Sequence, residues 1–98
     1  MAEAEDRLAR LFAAMGHPIR VAVLVHLDHH GPCDVSCLCH DLGVEQSALS
    51  HQLRRLRKEG LVAVTQDGRR RVYALADEHV TAIVRQAADH LGCSIGAP

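Results

Sequence analysis

Residues 46–71, QSALSHQLRRLRKEGLVAVTQDGRRR, decide the fold. Leu49, Leu53 and Leu56 are spaced four and three apart, which places them on one side of a helix. Ser47, Ser50, His51, Arg54, Arg55, Arg57 and Lys58 fill its other sides, and Gly60 stops it. The stretch holds seven Lys or Arg against two acids, a net of +5, whereas the rest of the chain holds four against ten, a net of −6. The overall charge of −1 is therefore a cancellation. One segment is suited to a polyanion and the remainder is not.

Downstream of the helix, residues 61–65 and 71–75 read as two strands. Asp67-Gly68 between them is a hairpin signal, because both residues tolerate positive φ, and Arg69, Arg70 and Arg71 make the hairpin a basic wing. Upstream, residues 34–43 predict a short helix capped by Asp34 or Ser36 and closed by Gly43. Two short helices joined by a glycine turn, the second polar and basic, form a helix-turn-helix. Residues 3–15 predict an acidic-starting helix with Leu8, Leu11, Phe12 and Met15 on one face. Gly16-His17-Pro18 interrupts it, and a strongly apolar helix over about 18–30 reads as the buried centre, ended by Gly31-Pro32. A last helix over about 78–91 starts from Asp77 and aligns Val80, Ile83, Val84, Ala87, Ala88 and Leu91. The expected fold is mainly α with a small β-hairpin, a winged helix-turn-helix of four helices, two strands and a final helix. It occupies residues 1–98 as one domain, with about 93–98 a mobile tail.

Apolar residues make up 48% of the 98, yet only Phe12 and Tyr73 are aromatic, so the core must be aliphatic. So small a core often gains stability from a second subunit. No apolar run approaches a membrane span and no basic-then-apolar leader opens the sequence, which points to a soluble, cytoplasmic protein with no membrane partner. Four Cys and eight His then suggest thiolate chemistry or metal more than disulfides. No phosphate loop or nucleophile–base pair has supporting spacing, so an enzyme is not expected.

A helix fits the major groove of duplex DNA. Gln46, Ser47, Ser50, His51 and Arg54 lie on or near the N-terminal polar face, where such helices read bases, and Arg55, Arg57 and Lys58 suit phosphates. Arg69, Arg70 and Arg71 of the wing suit a flanking phosphate or the minor groove. A charge run alone more often marks a solvated face; the helix-turn-helix and wing around it favour DNA.

Asp77, His79, His90 and Cys93 are a second constellation. His79 and His90 are eleven residues apart, on one helix face but roughly 16 Å apart along the axis. They cannot share an ion within one subunit. Two such helices packed antiparallel would bring Asp77 and His79 of one chain to His90 and Cys93 of another, giving O, N, N and S ligands suited to tetrahedral zinc. His90 and Cys93, three apart, are expected as helical neighbours. The plainer readings are that Asp77 is only a helix cap and Cys93 only a residue at a fraying end. Cys33, Cys37, Cys39 and His40 form a rival metal or thiol site, to which His26, His29 and His30 could add ligands. Cys33 and Cys37 would share a helix face if the helix began early, whereas Cys37 and Cys39 point apart. Two alternative functions follow. One is a thiol sensor of arsenite, soft metal, persulfide or oxidant through Cys33, Cys37, Cys39 or Cys93. The other is a structural zinc-binding interaction module.

The runs VEQSALSHQLRRLRKEGLV (44–62) and DGRRRVYAL (67–75), with the Gly16-His17-Pro18-Ile19-Arg20 turn, resemble the ArsR–SmtB family of metal-responsive winged-helix repressors over about residues 5–91. The resemblance implies a homodimer joined through the first and last helices, an inverted-repeat operator in double-stranded DNA, and release when an inducer binds. The family's zinc and nickel sensors carry Asp-x-His, ten residues, then His-x-x-Glu or His-x-x-His on the last helix. Asp77, His79 and His90 match that pattern, while Cys93 stands where Glu or His is expected. A thiolate there favours zinc, with nickel or cobalt next. The Cys-x-Cys pair of the family's arsenic, cadmium and lead sensors would fall at Asp34 and Ser36, so the pair present here is out of register by about three residues.

Overall fold

Gly16-His17-Pro18 separates the first two helices, α1 (Glu3–Met15) and α2 (Pro18–His30). His17 Nδ1 accepts the Ile19 N–H at 3.1 Å, and Pro18 occupies the first helical turn, where its missing N–H costs nothing. The order continues β1 (Cys33–Asp34), α3 (Val35–Leu42), α4 (Gln46–Lys58), β2 (Val62–Asp67), β3 (Arg70–Leu75) and α5 (Glu78–Leu91). The computed structural model describes residues 2–93, so the expected tail, beyond Cys93, lies outside the described residues. Asp34 rather than Ser36 caps α3, accepting the Cys37 N–H at 2.8 Å. Gly43, at φ 64°, turns the chain from α3 into α4, a backbone conformation that other residues rarely adopt.

The core is aliphatic, as its composition demands. Leu24, Leu38, Leu49, Leu53, Leu56 and Leu61 are the largest fully buried side chains, and Tyr73 is the buried aromatic. Val23, Leu24 and Leu27 bury the inner face of α2. The apolar stripe of α4, Leu49, Leu53 and Leu56, is wholly inside.

Three expectations are corrected. The sheet has three strands in the order β1-β3-β2, not two, with Cys33 opposite Tyr73 and Asp34 opposite Val72. Cys33 therefore sits on a strand and shares no helix with Cys37. Second, the hairpin strands are longer than read, because Asp67 pairs with Arg70 and the turn moves to Gly68-Arg69. Only Gly68 takes positive φ, at 63°, so a single glycine suffices and Asp67 stays in the strand. Third, α5 stops at Leu91, Gly92 takes φ 71°, and the Cys93 N–H returns to Ala88 O at 2.9 Å. Cys93 is thus beyond the helix and not a helical neighbour of His90.

Two polar clasps fix the packing. Arg20 on α2 donates to the carbonyls of Ala13 and Ala14 at the end of α1, and to Gln52 Oε1 on α4 at 2.7 Å. Arg85 on α5 makes a two-pronged bond to Asp28 on α2, both contacts at 3.1 Å. One face has no cover within the chain. Phe12 on α1 is 60% exposed and Leu91 on α5 73%, with Leu8 and Val21 also open. Between α1, α2 and α5 runs an apolar groove of about 420 Å³. Among the described residues no single helix is long and apolar enough to cross a membrane.

Candidate nucleic-acid interface and metal donors

Burial of Leu49, Leu53 and Leu56 turns the opposite side of α4 outward. Gln46, Ser47, Ser50, His51, Arg54, Arg57 and Lys58 are all exposed. Ser47 Oγ donates to Glu45 Oε1 at 3.0 Å, and Gln52 is held by Arg20. Arg55 differs from its neighbours: it is half-buried, and its Nε has no partner among the described residues. The wing arginines differ from one another as well. Arg70 Nε donates to Asp34 Oδ2 at 2.8 Å, Arg71 lies 5.7 Å over the Tyr73 ring, and Arg69 stands in the exposed turn. Asp34 is accordingly held below the usual carboxylate range, first by the Cys37 N–H and then by Arg70. One aspartate thus ties the wing to the start of α3.

On α5 the proposed donors stand at opposite ends, as their spacing requires. Asp77 Oδ1 accepts the N–H groups of His79 and Val80 at 2.9 and 3.2 Å, and lies 3.4 Å from His79 Nδ1. Asp77 is therefore a true cap, yet both cap bonds use one oxygen, which leaves Oδ2 for another ligand. His79, His90 and Cys93 are exposed. Val80, Val84 and Ala88 turn the other side of α5 into the core. Among the described residues no group of three or more His, Cys, Asp or Glu is placed to hold an ion. The two donor pairs fit a four-ligand set only if a second copy supplies one of them.

The cysteine cluster is built differently from the sequence expectation. His26, 8% exposed, places Nε2 2.9 Å from Asp41 Oδ2 and Nδ1 3.8 Å from Cys33 Sγ. Since a carboxylate only accepts, the proton on Nε2 satisfies both contacts, with Nδ1 accepting from the thiol. Cys37 Sγ donates to Asp41 Oδ2 at 3.5 Å, and His40 Nδ1 lies 3.2 Å from Asp41 Oδ1. These hydrogen bonds from His26, His40 and Cys37 pull Asp41 down to about 2. Burial, with the nearby Cys37 and aspartates, pushes the Cys33 thiol up to about 12. The bond to Asp41 raises Cys37 as well. Cys39 is half-buried against the core and stands apart from this network. His29 and His30 are exposed, with ring edges packed on one another. Sequence reasoning named His26 as an added ligand and missed Asp41, whose partner is fifteen residues away on another helix.

Comparison with known proteins places this geometry. The model for "Bacterial regulatory protein, arsR family" matches residues 17–64. The chain is 41% identical over 88 residues to the HTH-type transcriptional regulator NmtR of Mycobacterium tuberculosis, covering 90% of this chain and 72% of that protein. The chain belongs to the arsR family. It is also 40% identical over 86 residues to a transcriptional repressor SmtB homolog of Synechocystis, covering 88% of this chain and 64% of that protein. The solution structure of apo-NmtR is similar at a TM-score of 0.75 with 41% identity, covering 90% and 73% of the two chains. HlyU from Vibrio cholerae is similar at 0.82 with 28% identity, covering 91% and 96%. This arsR-family chain is a winged-helix, DNA-binding transcriptional regulator.

Proposed function

We propose that this chain is a metal-responsive repressor. It binds an inverted-repeat operator as a homodimer and releases it when zinc, or next nickel or cobalt, binds between the two copies of α5. The observation that carries the reading is the division of the surface. The polar face of α4 and the wing carry the positive charge, while the uncovered apolar face lies on α1 and α5, the latter bearing His79 and His90 and flanked by Asp77 and Cys93. Burial of that face supports pairing through the first and last helices. Pairing would bring Asp77 and His79 of one copy to the opposite end of the other copy's α5, near His90 and Cys93. The ion would supply charge and a cross-link there; the chain's own residues bind it and fix its ligand geometry. Base reading is assigned to Gln46, Ser47, Ser50, His51 and Arg54. Arg55, Arg57, Lys58, Arg69, Arg70 and Arg71 serve the backbone, although Arg70 must share itself with Asp34. The raised Cys33 and Cys37 thiols weigh against a sensor that reacts with oxidant or persulfide through them, since the free thiolate is the nucleophile there.

The ion need only favour the weak-binding conformer: a 100-fold fall in DNA affinity is a coupling of about 2.7 kcal/mol. The test titrates zinc into the protein bound to DNA that the metal-free protein has selected from a random pool. Release at saturating zinc is expected from the wild type and not from His90→Ala, which should bind DNA normally. Retention of DNA by the zinc-loaded wild type would remove the sensor claim, and release by His90→Ala would move the switch away from α5.

A further inference from the structure

The geometry points to a second cation site within one subunit, formed by His26 Nδ1, Cys33 Sγ and Cys37 Sγ, for a soft divalent ion of the zinc or cadmium kind. It shares no residue with the α5 donors. It also differs from the Cys-x-Cys position that family resemblance puts at Asp34 and Ser36. Three elements build it: the last turns of α2 supply His26, β1 supplies Cys33 and the first turn of α3 supplies Cys37.

Two ligands of a tetrahedral zinc, one sulfur at about 2.3 Å and one nitrogen at about 2.0 Å, stand about 3.5 Å apart. His26 Nδ1 and Cys33 Sγ are 3.8 Å apart, with only a thiol proton between them. An ion that displaces this proton needs the two atoms to close by only about 0.3 Å. Cys37 Sγ lies 3.5 Å from Asp41 Oδ2, the same oxygen that His26 Nε2 meets at 2.9 Å, so the second thiol stands beside the pair. It is exposed, and in the proposed site its side chain rotates to supply the third ligand. That rotation is the step separating the hydrogen-bonded arrangement, in which no three donors yet hold an ion, from the loaded one.

The outer contacts agree. His26 Nε2 donates to Asp41 at 2.9 Å, the carboxylate–imidazole arrangement that fixes the tautomer and strengthens a metal-bound histidine. A buried imidazole with both nitrogens engaged by a thiol and a carboxylate is more than packing requires of the end of α2. Two sulfurs and one nitrogen select a soft cation over magnesium, calcium or manganese. On binding, the ion forms two metal–sulfur bonds and one metal–nitrogen bond, and the two thiol protons leave to solvent, with no change of oxidation state.

The experiment uses the full chain carrying His79→Ala and His90→Ala, so that α5 is disabled, and cadmium alone as the probe. One equivalent of cadmium should give a thiolate-to-metal charge-transfer absorption with the intensity of two sulfurs. Cys37→Ser, at an exposed position that leaves the fold intact, should halve that intensity and weaken binding at least 10-fold. Asp41→Asn should weaken it about 10-fold while keeping the full intensity. Cys39→Ser and Cys93→Ser should change neither. Absence of the band in the double variant, its persistence at full intensity in Cys37→Ser, or its loss in Cys93→Ser would each overturn the proposal. None of these measurements involves DNA, so the site can fail while the repressor reading stands, and the reverse.

Discussion

Helices α4 and α5 solve the same internal problem and opposite external ones. Each is a little under four turns long and sends three apolar residues into the core, Leu49, Leu53 and Leu56 from one and Val80, Val84 and Ala88 from the other. Outside, α4 presents hydroxyls, an imidazole and guanidinium groups, whereas α5 leaves Leu91 uncovered and carries imidazoles near its two ends. The inner faces make the fold and cannot be told apart by chemistry. The outer faces suit one helix to a polyanion and the other to an apolar partner. Function in this chain resides in what the core does not use.

Breaking the shared inner face should have the largest effect. Leu53→Ala, at a position 1% exposed, should cost about 2–5 kcal/mol in denaturant unfolding and damage both surfaces together. Breaking the outer face of α5 comes next. Phe12→Asp or Leu91→Asp should leave a folded monomer by sedimentation, with DNA affinity down roughly 100-fold through loss of two-site binding. Breaking the outer face of α4 should be milder. Arg54→Ala should cost about 1–3 kcal/mol of DNA affinity while metal binding is unchanged, and the salt dependence of binding should shallow with each wing arginine removed. A persistent dimer after Leu91→Asp, or altered metal binding after Arg54→Ala, would show that the two faces are not separable.

The smallest effect sharpens the comparison through pH. Asp41 is held down to about 2 from an ordinary value of 3.8, so its contribution to stability is complete above the ordinary value. It is lost as pH falls from about 4 toward about 2, because the unfolded chain then binds the proton first. Asp34, also depressed, fails in the same direction. Asp41→Asn should therefore flatten the acid limb of the unfolding curve and leave neutral-pH DNA binding in place. An unchanged acid limb would show that the His26 and Cys37 bonds do not persist in solution.

The helices could be read because their signals are local. The spacing of Leu49, Leu53 and Leu56, the proline after Gly16-His17, and Gly43 each act within a few residues of themselves. The strand β1 could not, since it is two residues long, has no alternation and owes its existence to Tyr73, forty positions away. The hairpin turn was displaced by one residue because Asp67 is compatible with a turn or a strand, and only pairing with Arg70 decides between them. The His26–Asp41 bond was hidden for the same reason: it belongs to the way α2 packs on α3, which no periodicity announces. For the α5 donors, the spacing predicted two separate ends, and the chain holds them so. In the proposed dimer, a second copy would bring them to an ion.

The bonds from Arg20 have one further consequence. They tie the end of α1, which lies on the face open to a second copy, to Gln52 on the reading helix. In a two-fold pair, the angle between those helices fixes the separation of two reading heads. Duplex DNA repeats every 34 Å or so, and half-sites must match that period. In such a pair Arg20 would act as the pivot of a caliper. Lysine in its place, with no planar fork to bond in two directions, should widen the range of half-site spacings the protein accepts before it lowers affinity for the best one.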